Sequence, residues 1–142
     1  MIARIVDLPR IVDEPEDPDW FPIQHYFGLT AFGINAYVAR EAGQELIGDH
    51  DEAGSDQEEV YVVTAGRARF TIDGADHDAD AGTVVALTDP TTRRAAVALE
   101  RGTTILAVGG AKRERFESSW QSHHFDGVPQ ARDERPPSPS LD

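Results

Sequence analysis

Three glycines, Gly66, Gly74 and Gly82, recur every eight residues inside a stretch whose apolar side chains alternate with polar ones. No other feature constrains the fold so strongly, because side chains alternate across a strand and glycines spaced in this way mark turns between short strands. Ala68, Phe70 and Ile72 alternate with Arg67, Arg69 and Thr71, and Val60 to Thr64 is a continuous β-branched and aromatic run. Upstream, Phe32, Ile34, Ala36 and Val38 alternate with Gly33, Asn35 and Tyr37. Asp73-Gly74 is a strong hairpin signal, and the eight-residue spacing predicts hairpin turns at all three glycines. Further strands are expected over 83–87, 93–98 and 103–108, giving about eight, enough for a small barrel or jelly roll. Only Lys112 to Trp120 offers a helical stretch.

Size and charge then narrow the function classes. The chain has 142 residues and a formal charge of -13, from 13 basic and 26 acidic side chains. That is one domain, and its charge repels phosphate backbones and anionic membranes, so nucleic acid and membrane are excluded as partners. No apolar run approaches the roughly 20 residues of a membrane helix, and no signal segment opens the chain, so the expected location is cytoplasmic. There is no cysteine, which leaves His, Asp, Glu and Gln to hold any metal.

Proline separates the ends from the body. Pro9, Pro15, Pro18 and Pro22 fall in the first 22 residues, and Pro129, Pro136, Pro137 and Pro139 in the last 14. We therefore divide the chain into an N-terminal arm over 1–22, a β-barrel over 23–110, a C-terminal extension with a short helix over 111–126, and a disordered tail over 127–142. Trp20 and Phe21, after the acidic loop Asp13 to Asp19, read as anchors that return the arm to the core.

The block Gly43 to Gly66 carries the chemistry. It ends in EEVYVVTAG, continues as RARFTIDG, and leads to an apolar strand that closes at Pro90. Over residues 43 to 110 this pattern resembles the cupin superfamily, which implies an all-β, single-domain, jelly-roll β-barrel that forms a homodimer and holds a small molecule in its cup. The resemblance places the first-motif glutamate at Glu59, seven positions before Gly66. Where that motif has two histidines this chain has Ala53 and Ser55, and where the second motif has a histidine beyond its proline it has Arg93 and Arg94.

Glu59, Tyr61, Phe70 and Arg94 are accordingly the expected ligand-binding residues, in a mostly apolar cup lined by Tyr61, Val63, Phe70, Ile72, Val85 and Leu87. His50, Gln57 and Glu59 are the candidate metal ligands. With one imidazole near Glu59, the expected reading is a small-molecule binder without a full metal centre or other cofactor. The alternative is a divalent-metal enzyme of isomerase, hydrolase or dioxygenase type using His50 and Glu59, with Gln57 or Glu52 in support; no catalytic residue is assigned. A buried Glu59 needs a partner, and Arg93 or Arg94 can supply one as an ion pair. His77 reads as a surface residue of an acidic stretch and His25 as core-edge packing. His123 and His124 are adjacent, so they diverge on any regular element and rarely chelate one ion.

Overall fold

The computed structural model describes residues 1–112 and 122–130. All but the first residue of the helix expected over 112–120, and the greater part of the tail expected over 127–142, lie outside the described residues.

Among the described residues, nine strands form two antiparallel sheets. In chain order they are β1 (Asp19–Phe21), β2 (Gly33–Val38), β3 (Glu45–His50), β4 (Gln57–Ala65), β5 (Arg67–Ile72), β6 (Ala75–Asp80), β7 (Val84–Leu87), β8 (Arg94–Ala98) and β9 (Thr104–Ala111). One sheet runs β1-β2-β9-β4-β7 and the other β3-β8-β5-β6. The fold is a jelly roll, with the core between the sheets.

The periodic glycines have two different jobs. Gly74, at a φ of 83° after Asp73 at 47°, turns the β5–β6 hairpin. Gly66 and Gly82, by contrast, sit where the chain passes from one sheet to the other, β4 to β5 and β6 to β7. The hairpins expected at those two positions are therefore corners. Gly66 has a φ of 70°, and a Cβ there would lie 2.7 Å from the Thr103 Cα, so only glycine fits.

The inward faces pack as the alternation requires. Tyr61, Val63, Phe70, Leu87 and Ile105 are buried, with Ile72 and Val85 partly buried against them. Ala68, Ala79, Ala96 and Ala98 surround Phe70 on the inner face of the β3-β8-β5-β6 sheet, where small residues let the sheets approach. Acidic Ala75–Asp80 is the edge strand β6, although no strand is expected there; Asp78 pairs with Arg69 at 2.7 Å and with Arg67 at 3.2 Å across the β5–β6 ladder. Charged edges of this kind resist pairing with other chains.

The arm covers an outer face. β1 pairs with β2, Ile11 bridges Trp20, and Leu8, Phe21 and Ile23 form a second cluster with Ala36. Ile34, Val38 and Leu106 pack against that cluster. A short helix, α1 (Ile23–Phe27), ends at Gly28 in the left-handed region, and its His25 is exposed rather than packed at a core edge.

Candidate ligand-binding site

At one end of the sandwich the sheets enclose a cavity of about 230 Å³. Its position follows from the register of the central strands. Glu59 on β4 lies opposite Gly109 on β9, which in turn lies opposite Gly33 on β2. The two glycines leave a shelf with no side chains, and a Cβ at Gly109 would come within 3.2 Å of the Glu59 Cγ and 3.0 Å of the Gln57 Oε1. One step deeper, Tyr61, Ala107 and Asn35 line up across the same three strands and form the wall.

The opposite wall comes from β3. Register shifts against β8 turn both Leu46 and Ile47 into the interior and bring His50, at the strand's end, opposite Arg94. His50 is half-buried and lines the cavity together with Glu52. Its Nδ1 is 2.6 Å from the Gly48 carbonyl oxygen, which can only accept, so Nδ1 carries the hydrogen. In the neutral ring Nε2 is then an acceptor, and it faces Glu52 Oε1 at 3.3 Å. Ser55 donates its hydroxyl to Glu52 Oε2 and holds that carboxylate in place.

Glu59 is fixed from below. Tyr61 donates its hydroxyl to Glu59 Oε2, and burial together with that hydrogen bond pushes the phenol's pKa well above the usual range. Burial, and next the Glu59 charge, also push the neighbouring Tyr37 phenol up. Arg94 is fully buried, with its Nε 3.7 Å from Glu59 Oε2. At that range the attraction is about 4 kcal/mol for an effective dielectric of ~20, against a desolvation cost of several kcal/mol for the guanidinium. Of the two arginines expected as ion-pair partners, Arg93 points outward and pairs with Asp49 at 2.9 Å.

With the His50 ring neutral, His50, Glu52 and Glu59 each offer an acceptor atom, and all three lie within 4.8 Å of one another. Gln57 stands one position outward from Glu59 on the same strand face, beside Gly109. Two residues expected to touch a ligand lie deeper. Phe70 packs beneath Tyr61 with ring centroids 5.8 Å apart, and Arg94 is sealed under Glu59. The cup is thus filled by the apolar residues expected to line it, and the open cavity above them is largely polar. His77 is exposed, and His123 and His124 stack on each other at 4.3 Å, outside the site.

The donor set can be tested against the metal that the cupin resemblance implies. The spacing is compact enough to hold an ion. The chemistry is not that of a tightly held transition metal: there is one imidazole, Glu59 Oε2 is taken by Tyr61, and a buried guanidinium repels a second cation.

Asn35 and Tyr37 are site residues that sequence reasoning missed. Asn35 accepts from Trp20 Nε1 at 2.9 Å, and Trp20 stacks on Tyr37 at 6.5 Å, so the arm supports this wall. The signal was the second phase of the β2 alternation: Gly33, Asn35 and Tyr37 face the cavity, whereas Ile34, Ala36 and Val38 face the arm.

Structural comparison agrees with this architecture. A cupin protein from Bacteroides fragilis superposes with a TM-score of 0.64 at 18% identity, over 92% of this chain and 96% of that one. The fold is that of the cupin superfamily. A cupin superfamily sugar phosphate isomerase from Silicibacter pomeroyi matches with a TM-score of 0.65 at 18% identity, over 79% and 76% of the two chains. KdgF from Halomonas sp. matches with a TM-score of 0.57 at 16% identity, over 77% and 91%. No family model matches this chain, and no curated protein matches it in sequence. Among the described residues, no helix is long and apolar enough to cross a membrane.

Proposed function

We propose that this cupin-fold protein binds a compact hydroxylated molecule, of sugar or polyol size, in the cavity around Glu59. The observation that carries the reading is the convergence of His50 Nε2, Glu52 and Glu59 on one point, with His50 oriented by Gly48 so that its acceptor faces the carboxylates. Acceptors arranged in this way call for donors, and adjacent hydroxyl groups supply them at matching spacing. Asn35 adds an amide at the wall. A cavity of about 230 Å³ suits a small ligand. One of the similar structures is a sugar phosphate isomerase, a likeness that supports the reading.

Calorimetric titration of the full chain with a panel of neutral polyols and monosaccharides tests the reading. At least one should bind, and Glu59→Gln should weaken it by about tenfold, since a charge-assisted hydrogen bond is replaced by a neutral one. Binding that ignores both Glu59→Gln and Glu52→Gln would place the ligand elsewhere.

A further inference from the structure

We infer that Arg94 is the resident cation of this site and decides what Glu59 accepts: a neutral donor while the guanidinium is present, a divalent metal ion once it is removed. The inference rests on the ligand reading above.

Arg94 differs from the other ion-paired arginines among the described residues. Arg4, Arg10, Arg40, Arg67, Arg69 and Arg93 all pair at the surface, with side chains 39% or more exposed. Arg94 is fully buried, and none of its Nε, Nη1 or Nη2 atoms has a hydrogen-bond partner. A buried guanidinium left without hydrogen bonds is costly, so its five donors contribute little that would explain its presence. Its charge does have a counterpart. The opposite charge within ion-pair distance is Glu59, at 3.7 Å, which reaches it from the opposite sheet.

That placement sets up a competition. His50, Glu52 and Glu59 offer a nitrogen and two carboxylates within 4.8 Å, a set that suits a borderline dication if Glu59 is free. Glu59 is not free. A dication among these three atoms would share one carboxylate with a fixed positive charge that cannot deprotonate or move into water. A neutral hydroxyl donor meets no such opposition. Arg94 therefore acts as a positioning and selecting residue: it touches Glu59, not the ligand, and biases the site against metal.

The test is a titration of the chelator-treated full chain with Mn²⁺ and Zn²⁺, using wild type, Arg94→Met, Arg94→Lys, and Arg94→Met combined with Glu59→Gln. Each is first checked for a cooperative melt, and Arg94→Gln replaces Arg94→Met if the latter does not fold. Wild type and Arg94→Lys should bind at millimolar Kd or weaker, whereas Arg94→Met should bind at least about tenfold tighter, the scale of effects from residues adjoining metal ligands. The double variant should lose that gain. A folded Arg94→Met or Arg94→Gln without tighter binding overturns the inference. So does micromolar binding by wild type that Glu59→Gln abolishes, a result that needs no Arg94 variant. Failure of the ligand reading looks different: no hydroxylated probe binds wild type, yet removing Arg94 still creates a metal site.

Discussion

Arg94 on β8 and Glu59 on β4 belong to opposite sheets and meet inside the sandwich, with the guanidinium Nε 3.7 Å from the carboxylate Oε2. The contact is too long for a strong hydrogen bond, so it links the sheets by charge. Arg94 is sealed from solvent while Glu59 is 14% exposed, so the arginine depends on the glutamate more than the reverse.

Glu59→Gln should therefore destabilise the fold, although Gln can still accept from Tyr61. Leaving a buried guanidinium without its counter-charge costs about 2–4 kcal/mol. Adding Arg94→Met to Glu59→Gln should recover part of that loss, because the uncompensated charge is then gone. Denaturant midpoints of the single and double variants measure it, and strictly additive losses would mean that the pair is not coupled.

Phe70→Ala should cost about 3–5 kcal/mol, the usual range for emptying a buried aromatic position. Phe70 is completely buried, beside Ala96 on the neighbouring strand and against the Tyr61 ring. A loss below about 1 kcal/mol would mean that the inner faces rearrange freely.

The inner face of β5 was legible because Ala68, Phe70 and Ile72 alternate with Arg67, Arg69 and Thr71, whereas the continuous run Val60 to Thr64 on β4 marks a strand without marking its buried phase. Glu59 was legible through the cupin resemblance, which sets it seven positions before Gly66. Three kinds of feature were not. Leu46 and Ile47 are consecutive and both buried, as the register shifts against β8 permit, and Gly48 alone does not say where in the strand the register changes. The facing of β2 was hidden for a different reason. Both phases are buried, one by the cup and one by the arm, so apolar Ile34 and Ala36 mask the cavity role of Asn35. Gly66 and Gly82 show a third limit, since glycine reports a required backbone angle but not whether the next strand stays in the same sheet.

Gly109→Ala should disturb the site more than the fold. The added methyl would stand 3.2 Å from the Glu59 Cγ and 3.0 Å from the Gln57 Oε1, both on flexible side chains, so these must move by a few tenths of an ångström. Gly109 sits in a regular ladder between β2 and β4, where alanine is conformationally acceptable. Melting should change by less than about 1 kcal/mol in stability, while affinity for a hydroxylated probe falls as Glu59 is displaced. Unchanged affinity would show that Glu59 has room to spare.

Alkaline pH offers a direct reading of the Tyr61–Glu59 contact. Burial first, and the Glu59 hydrogen bond next, raise the Tyr61 phenol pKa in the folded protein, while in the unfolded chain it ionises near pH ~10. Below that pH both states hold the proton, and the stability contributed by the contact is fully present. As pH rises past ~10 the unfolded state releases the proton and the folded state keeps it, so stability falls by up to about 1.4 kcal/mol per pH unit for this group. Tyr37 adds to the fall in the same direction. Few other groups interfere, since the chain has one lysine, Lys112, and three tyrosines. Denaturant unfolding from pH 8 to pH 11.5 should therefore show a plateau and then a decline. Tyr61→Phe should start from lower stability, because Glu59 loses its donor, and should then decline less steeply; an equally steep fall would show that Tyr61 is not the group that titrates.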